Sequence, residues 1–168
     1  IEAANIGLPG AGPHVLKNVI RLAEEIRDQK LNIEPNCAAR TLQADIDPII
    51  EAVEKTSVPI VSALFIGSSP IRQYAEGWDI DLLLKHTETA VKYAVDNGLK
   101  VMFVTEDTTR SKPEDIKRLY TTAIECGAQR LVVCDTVGHA TPHGTANLIK
   151  YVRKVADDSG VDGITIEW

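Results

Sequence analysis

The sequence predicts an α/β protein in which parallel strands alternate with helices, and three observations support this. Apolar runs of strand length alternate with longer segments of helical periodicity. One strand and one helix together take roughly 30 residues, the length of a βαβ element. Polar residues follow successive strands. With 168 residues, of which 44% are hydrophobic, the chain is long enough for one domain with a core.

Two architectures fit this alternation. An open doubly wound sheet would be complete at this length, whereas a (β/α)8 barrel takes about 250 residues and would be present only in part. Six strands are predicted, at residues 1–6, 31–39, 58–66, 100–104, 130–134 and 163–168. Their regular spacing alone does not choose between the two architectures.

In the first half of the chain, loop residues and helical spacing define the elements. The first strand ends at a loop over residues 7–13 that is rich in Gly and Pro. A helix over 13–29 follows, with apolar residues at helical spacing. The second strand ends just before Arg40. Asp47 and Pro48 then form an N-cap and first-turn pair that predicts the start of the next helix.

The second half shows the same pattern. The third strand ends at residues 67–70, and residues 71–78 carry no clear signal. A helix over 80–95 stops at Asn97-Gly98, a left-handed cap. Ser111 and Glu114 have capping-box spacing for the helix after the fourth strand. Thr141 is the predicted N-cap of the last helix, over 142–156.

Polar side chains at the strand ends are the candidate site. After the fifth strand, the apolar run stops at Asp135-Thr136, and Glu106-Asp107 follows the fourth. A barrel brings all such ends to one axis, whereas an open sheet brings together only those near its switch point. Local roles are the alternative. Asp135 and Thr136 could cap their loop, and Glu106 or Asp107 could pair with Arg110 in an exposed ion pair worth at most about 1 kcal/mol.

Composition excludes several classes of function. The net charge of −6, with scattered Lys and Arg, offers no surface for nucleic acid or an anionic membrane. No apolar run is long enough for a membrane span, and the first residues lack the basic region and apolar core of a signal peptide. Three distant cysteines form neither a disulfide framework nor a zinc knuckle, so a reducing cytoplasm is expected. His139 and His143 are separated by the helix start at Pro142, so they should not form a metal-binding pair.

Five motifs in sequence order then indicate a family. They are Glu2 with Leu8-Pro9, Cys37-Ala38-Ala39-Arg40 with Asp45-Ile46-Asp47, Phe65-Ile66-Gly67-Ser68-Ser69, Glu106-Asp107-Thr108-Thr109-Arg110-Ser111, and Asp135-Thr136-Val137-Gly138 with Ala140-Thr141-Pro142. Together, over almost the whole chain, they resemble the DRE-TIM metallolyases, and within them the isopropylmalate, homocitrate and citramalate synthases. The resemblance implies a partial TIM (β/α)8 barrel. Residues 1–168 would be an incomplete catalytic domain with about strands 2 to 7 of that barrel.

The resemblance also implies an activity for a full-length parent: condensation of acetyl-CoA with a 2-oxo acid in amino-acid biosynthesis, by a homodimer. A divalent metal, Mg²⁺ or Mn²⁺, would be held by an aspartate on the first barrel strand and an H-x-H on the seventh, outside the matched part. We therefore expect the 168-residue chain alone to be inactive. A lyase or aldolase of the HMG-CoA lyase type is the nearest alternative, and a biotin-dependent carboxyltransferase is more distant. A non-catalytic scaffold or binding module is the alternative from another class.

The same resemblance implies roles for four residues. Glu106 matches the active-site glutamate of the family, as a general acid or base or as a positioning group. Thr136 matches the threonine that binds the carboxylate of the 2-oxo acid. Arg40 and Glu2 match polar residues at strand ends and would contribute to substrate binding. Ala63 stands where isopropylmalate synthases usually have a histidine, which removes a large polar side chain from the pocket wall.

Overall fold

The computed structural model describes all 168 residues as alternating strands and helices. The strands are β1 (Ala3–Gly7), β2 (Glu34–Arg40), β3 (Val61–Gly67), β4 (Val101–Glu106), β5 (Arg130–Val133) and β6 (Thr165–Glu167). The helices are α1 (Pro13–Asp28), α2 (Gln43–Thr56), α3 (Pro70–Glu76), α4 (Ile80–Asp96), α5 (Pro113–Glu125) and α6 (Pro142–Asp158). Short 3₁₀ turns cover Pro9–Ala11 and Thr108–Arg110. None of the helices combines the length and apolar character needed to cross a bilayer.

All six strands are parallel and lie in the sheet in the order in which they occur in the chain, from β1 to β6. A doubly wound sheet reverses its strand order at a switch point, and no reversal occurs here. The barrel prediction is therefore confirmed in the form of a half-barrel, and the open doubly wound alternative is wrong.

The two faces of the sheet have different neighbours because strand side chains alternate. Leu64, Phe103 and Leu131 point to one face and pack against the helices in a single core of 30 buried residues. Val61, Ala63 and Met102 form a small separate cluster on the other face, where no helix side chain joins them. This second face is the concave interior of the half-barrel.

Several boundaries differ from the predicted ones. Helix α2 begins at Gln43, and Pro48 lies inside it. Asp47 therefore does not cap the helix, and its carboxylate instead accepts a hydrogen bond from the Tyr93 hydroxyl at 2.6 Å. The α2 start is fixed by Asp45, whose side chain binds the backbone N–H of Arg40 at 3.1 Å.

The helices that follow β3 and β5 begin with a side-chain N-cap and a proline, whereas the helix after β4 has no side-chain cap. The unassigned segment after β3 forms α3, whose N-cap Ser69 accepts from the Arg72 N–H. The capping-box prediction at Ser111 is wrong, since α5 begins at Pro113 and the Ser111 hydroxyl donates to the Asp107 carbonyl at 3.0 Å. The Thr141 prediction is confirmed, because its hydroxyl accepts from the Gly144 N–H at 3.1 Å.

Candidate functional site

The candidate site lies where the parallel strands end, along one edge of the sheet. Arg40 is the last residue of β2, Glu106 is the last residue of β4, and Asp135-Thr136 follows β5. Gly67 ends β3 and is in register with Glu106. Since carboxyl ends of parallel strands share one edge, the fold brings these three predicted positions to the same side of the molecule.

Glu106 has a carboxylate that is free of hydrogen bonds. Its backbone carbonyl accepts from the N–H and the hydroxyl of Ser68, both at 3.1 Å, so the strand end is fixed. Its side chain, about one-third exposed, lines a cavity of about 290 Å³. Arg40, Phe65, Arg72, Trp78 and His86 are among the other residues of this cavity. The carboxylate is thus held at the cavity wall with its oxygens available for a ligand.

Arg72, on α3, is a site residue that the sequence analysis missed. Its Nε lies 3.7 Å from Oε1 of Glu106, while its Nη1 pairs with Oε1 of Glu76 at 3.1 Å. The Nε atom is buried and has no hydrogen-bond partner. A β-carbon at Gly67 would lie 2.9 Å from this atom, so the approach of Arg72 requires glycine there. The signal that could have found Arg72 is Ser69-Pro70, an N-cap and first-turn proline directly after β3.

Thr136 is tied to the loop that follows β4. Its Oγ1 accepts a hydrogen bond from the backbone N–H of Asp107 at 2.9 Å. Because this bond uses an oxygen lone pair, the hydroxyl proton of Thr136 stays free to be donated. Thr136 is exposed on the surface of this edge. The structure therefore leaves a free donor at the position predicted to bind a carboxylate.

Asp107, whose backbone N–H binds Thr136, has a buried side chain that stabilises the loop after β4. Its backbone is left-handed, with φ of 63°, and its side chain is 1% exposed. Hydrogen bonds from Arg110, at 2.7 Å from Nε and 2.6 Å from Nη2, hold the pKa of the Asp107 carboxyl below its usual value. The predicted pairing with Arg110 is confirmed for Asp107, but its exposed character is wrong, and Glu106 takes no part in it.

The carboxylate of Asp135 stabilises the loop that follows β5. It accepts from the Ala140 N–H at 3.0 Å, from the Thr109 hydroxyl at 3.0 Å and from the His139 N–H at 3.2 Å. These bonds, led by the one from Ala140, lower the pKa of Asp135. Asp135 therefore caps its own loop, which is the local role given above as the alternative to a role in the site. His143 contacts Asn147 instead, so the two histidines do not share a site.

A buried group of hydroxyls joins the ends of β4 and β5. The Tyr120 hydroxyl donates to the Val132 carbonyl at 2.9 Å and shares a 2.7 Å hydrogen bond with the Thr105 hydroxyl. Thr108 bonds Thr105 at 2.7 Å and accepts from the Cys134 N–H at 2.9 Å. Burial raises the pKa of Tyr120, which stays protonated. This network fixes the backbone that carries Glu106 and Thr136.

Arg40 lies beside the cavity but is largely occupied. Its Nε and Nη2 donate to the two carboxylate oxygens of Asp45, at 2.7 and 2.8 Å. The bond from Arg40 is also the main cause of the lowered pKa of Asp45, which is 3% exposed. Arg40 is 58% exposed. Arg40 and Glu106 therefore line the same cavity. Only the N–H groups of Arg40 that do not bind Asp45 are free.

Glu2 does not belong to this site. It precedes β1, and its carbonyl accepts from the N–H of Glu34, the first residue of β2. Glu2 is therefore at the amino-terminal edge of the sheet, about 16 Å along the strand from the other edge at 3.3 Å per residue. The predicted placement of Glu2 beside the substrate is corrected for this reason. In β1, Asn5 lies nearer the carboxyl end, and its amide donates to Asn36 at 2.9 Å.

The amino-terminal edge has its own charged group. Arg130, the first residue of β5, binds Glu34 of β2 at 2.9 Å and Glu167 of β6 at 3.1 Å, both through side chains. A cavity of about 800 Å³ also lies at this edge, lined by the loops that lead into β2, β3 and β4. It contains none of the predicted site residues.

No metal centre is formed by residues 1–168, which contain no group of three or more His, Cys, Asp or Glu side chains able to hold an ion. The residues present therefore do not fit the divalent metal that the resemblance implies.

The chain is similar to known proteins in both sequence and fold. The HMGL-like family model matches residues 1–165. Homocitrate synthase from Pyrococcus abyssi is 34% identical over 83% of this chain and 38% of its own length. 2-Isopropylmalate synthase from Lactococcus lactis subsp. cremoris is 30% identical over 89% of this chain and 28% of its own length. The chain thus spans about a third of the curated relatives that it matches.

Solved structures show the same fold. HMG-CoA lyase from Bacillus subtilis superposes with a TM-score of 0.71 at 12% identity, over 99% of this chain and 64% of the lyase chain. The carboxyl transferase domain of Rhizobium etli pyruvate carboxylase superposes with a TM-score of 0.61 at 14% identity, over 98% of this chain and 26% of the other.

Proposed function

Because the chain belongs to the HMGL-like family, we propose that it is the central part of the catalytic barrel of a synthase that condenses acetyl-CoA with a 2-oxo acid. Relatives named homocitrate synthase and 2-isopropylmalate synthase, at 34% and 30% identity, support this class. The observation that carries the proposal is the Glu106 carboxylate, which lies free of hydrogen bonds at the wall of a cavity. The parent would act in the cytoplasm as a homodimer.

Glu106 is the proposed general base. A carboxylate with free oxygens at a strand end can remove a proton from the methyl group of the acetyl thioester. The electron pair of that C–H bond then forms the new bond to the carbonyl carbon of the 2-oxo acid. The pair of that C=O bond moves to its oxygen, which takes up a proton and becomes the hydroxyl group of the product. Hydrolysis of the thioester by water releases the thiol and leaves a second carboxylate on the product.

Thr136 is the proposed anchor for the 2-oxo acid. Its oxygen already accepts from Asp107, so its proton is directed to another acceptor, and a substrate carboxylate is suited to that role. Arg40 adds positive charge to the same edge, with its remaining N–H groups on the exposed side. The divalent metal of the parent, Mg²⁺ or Mn²⁺, would take its ligands from outside residues 1–168.

The test is an assay of a full-length parent with acetyl-CoA, Mg²⁺ or Mn²⁺ and a panel of 2-oxo acids. We expect thiol release that depends on one of the 2-oxo acids, and none from residues 1–168 alone. Cleavage of a hydroxy acid or its CoA ester, without condensation, would instead place the parent with the lyases. Binding of ligands with no turnover by the metal-loaded parent would favour a binding module.

A further inference from the structure

We propose that Arg72 is a catalytic residue, whose Nε–H donates a hydrogen bond to the carbonyl oxygen of the acyl thioester while Glu106 removes the methyl proton. This inference rests on the proposed function and adds a second group to its first step. Three observations support it: a buried donor without an acceptor, the balance of charge around the cavity, and the spacing of Arg72 and Glu106.

The first observation is the unused donor. The Nε of Arg72 is the one buried side-chain nitrogen or oxygen in the molecule that has no hydrogen-bond partner. Burying such a donor unpaired costs about 1–3 kcal/mol, and native structures rarely do so without reason. The guanidinium is not free to turn away, because its Nη1 is held by Glu76 at 3.1 Å. The donor thus lies beside the cavity, and the nearby carboxylate oxygen, Oε1 of Glu106 at 3.7 Å, is beyond hydrogen-bond distance.

The second observation concerns charge. Arg40 is paired with Asp45, and Arg72 is flanked by Glu76 and Glu106. The two carboxylates beside Arg72 outnumber its single charge, so this guanidinium has no surplus positive charge to attract an anion. A neutral carbonyl oxygen suits the free Nε–H better. Negative charge would develop on that oxygen only during the reaction, which is when a fixed donor has most effect.

The third observation is distance. The Nε of Arg72 and Oε1 of Glu106 are 3.7 Å apart. In a thioester, the methyl hydrogen and the carbonyl oxygen are borne by adjacent carbons, so a base and a donor that act together must be near neighbours. Phe65 and Trp78 contribute apolar walls to the same cavity. A donor in such a setting acts with less competition from water.

The proposed step balances in atoms and electrons. The methyl C–H bond breaks, and its proton passes to Glu106. The released electron pair forms a carbon–carbon double bond, and the pair of the C=O bond moves to the oxygen, which Arg72 Nε–H stabilises. When the methylene carbon bonds to the carbonyl carbon of the 2-oxo acid, the thioester C=O bond re-forms and the charge leaves this oxygen. The C=O pair of the 2-oxo acid moves to its own oxygen, which takes up a proton from water.

The test uses the full-length parent with Arg72→Gln, Arg72→Lys and the matched control Arg118→Gln. Arg118 is an exposed arginine that pairs with Asp81 between helices α5 and α4, away from the cavity. Arg72→Gln should lower kcat for thiol release by about 10²–10³-fold, as for the loss of an oxyanion donor. The KM for the 2-oxo acid should change less than about threefold, because that substrate is held elsewhere. Exchange of the methyl protons of acetyl-CoA with deuterium from solvent should slow in parallel.

A second variant tests the same role without replacing Arg72. Gly67→Ala places a β-carbon 2.9 Å from Nε and displaces Arg72 without changing any charge. It should lower kcat by at least about tenfold, again with little change in KM. Circular dichroism and the melting temperature of each variant would verify its fold.

The outcomes separate the two hypotheses. An inactive wild-type parent with every 2-oxo acid would refute the proposed function itself. An active parent in which Arg72→Gln keeps kcat within threefold would overturn only the role of Arg72. Full activity of Arg72→Lys would also overturn it, because lysine keeps the charge but has no donor at the Nε position.

Discussion

The two edges of the half-barrel both carry charged side chains but pair them differently. At the carboxyl-terminal edge, the hydrogen-bonded pairs form within one loop: Arg40 binds Asp45 five residues on, and Asp107 binds Arg110 three residues on. Arg72 and Glu106, from different loops, lie 3.7 Å apart, beyond hydrogen-bond distance. At the amino-terminal edge, Arg130 connects β2 to β6 across the concave face, through residues as far as 96 positions apart.

This difference separates two tasks. Local pairs fix the shape of each loop and leave neighbouring groups, such as the carboxylate of Glu106 and the proton of Thr136, without hydrogen-bond partners. The long-range bridge instead ties distant strands together. Charged residues at one edge of such a sheet therefore indicate chemistry, and those at the other edge indicate curvature and stability, in keeping with the division found in TIM barrels.

The largest effect is expected at the carboxyl-terminal edge. In a full-length parent, Glu106→Gln should lower kcat for thiol release by about 10²–10⁴-fold, the range for loss of a general base. Its melting temperature should hardly change, because the carboxylate makes no hydrogen bond. Glu34→Gln at the opposite edge is the control and should keep kcat. Equal activity of the two variants would remove the functional distinction between the edges.

The next effect is on stability. Asp107→Ala should lower the free energy of unfolding of this chain by about 3 kcal/mol, because it leaves Arg110 without its partner and loses the buried hydrogen bonds. Asp107→Asn should cost less, since asparagine tolerates the left-handed backbone at φ of 63°. Urea unfolding of both variants measures this. A loss below about 1 kcal/mol for the alanine variant would show that the pair is as weak as an exposed one.

The local pairs should also make the free energy of unfolding decrease at acid pH. The pKa values of Asp45, Asp107 and Asp135 are lowered below 3.8 in the folded state. As the pH falls, the unfolded chain takes up these protons first, so the stabilisation is complete above about pH 5 and is lost below about pH 4. Urea unfolding from pH 7 to pH 3 should show that the free energy of unfolding falls with pH. The fall should be smaller for Asp45→Asn, which lacks one of the three carboxylates. An equal fall in that variant would contradict the assignment.

The smallest effect is expected at the amino-terminal edge. Arg130→Met should lower the free energy of unfolding by at most about 1 kcal/mol, since Arg130, Glu34 and Glu167 are 22%, 38% and 46% exposed. The difference from wild type should shrink in 1 M salt, because salt screens exposed charges. Activity of the parent should not change. A loss above 3 kcal/mol, or a change in kcat, would show that the bridge does more than connect strands.

Much of the fold could be predicted because apolar spacing and turn residues act locally. The Thr141 cap and the strand from Arg130 follow from neighbouring residues alone. The choice between a half-barrel and an open sheet could not be predicted from the sequence, because it depends on which strands pair. The α2 start was also missed, since it depends on the contact of Asp45 with Arg40 rather than on the Asp47-Pro48 signal.

The site was predictable in part for a similar reason. Glu106, Thr136 and Arg40 were found because they end strands or follow them, and the fold gathers strand ends. Glu2 was misplaced because sequence alone did not show how many residues of its segment precede the strand. Arg72 was missed because its role depends on the absence of a side chain at Gly67 and on a cavity formed by three separate segments.

The consecutive order of the strands has a consequence for how the chain folds. Each strand pairs with the one completed just before it, so every step of sheet formation closes a loop of only one helix and its connections. Short loops cost little entropy, and contacts between near neighbours in sequence favour rapid folding. The sheet can therefore grow one strand and helix at a time from any point, much as repeat proteins add their units.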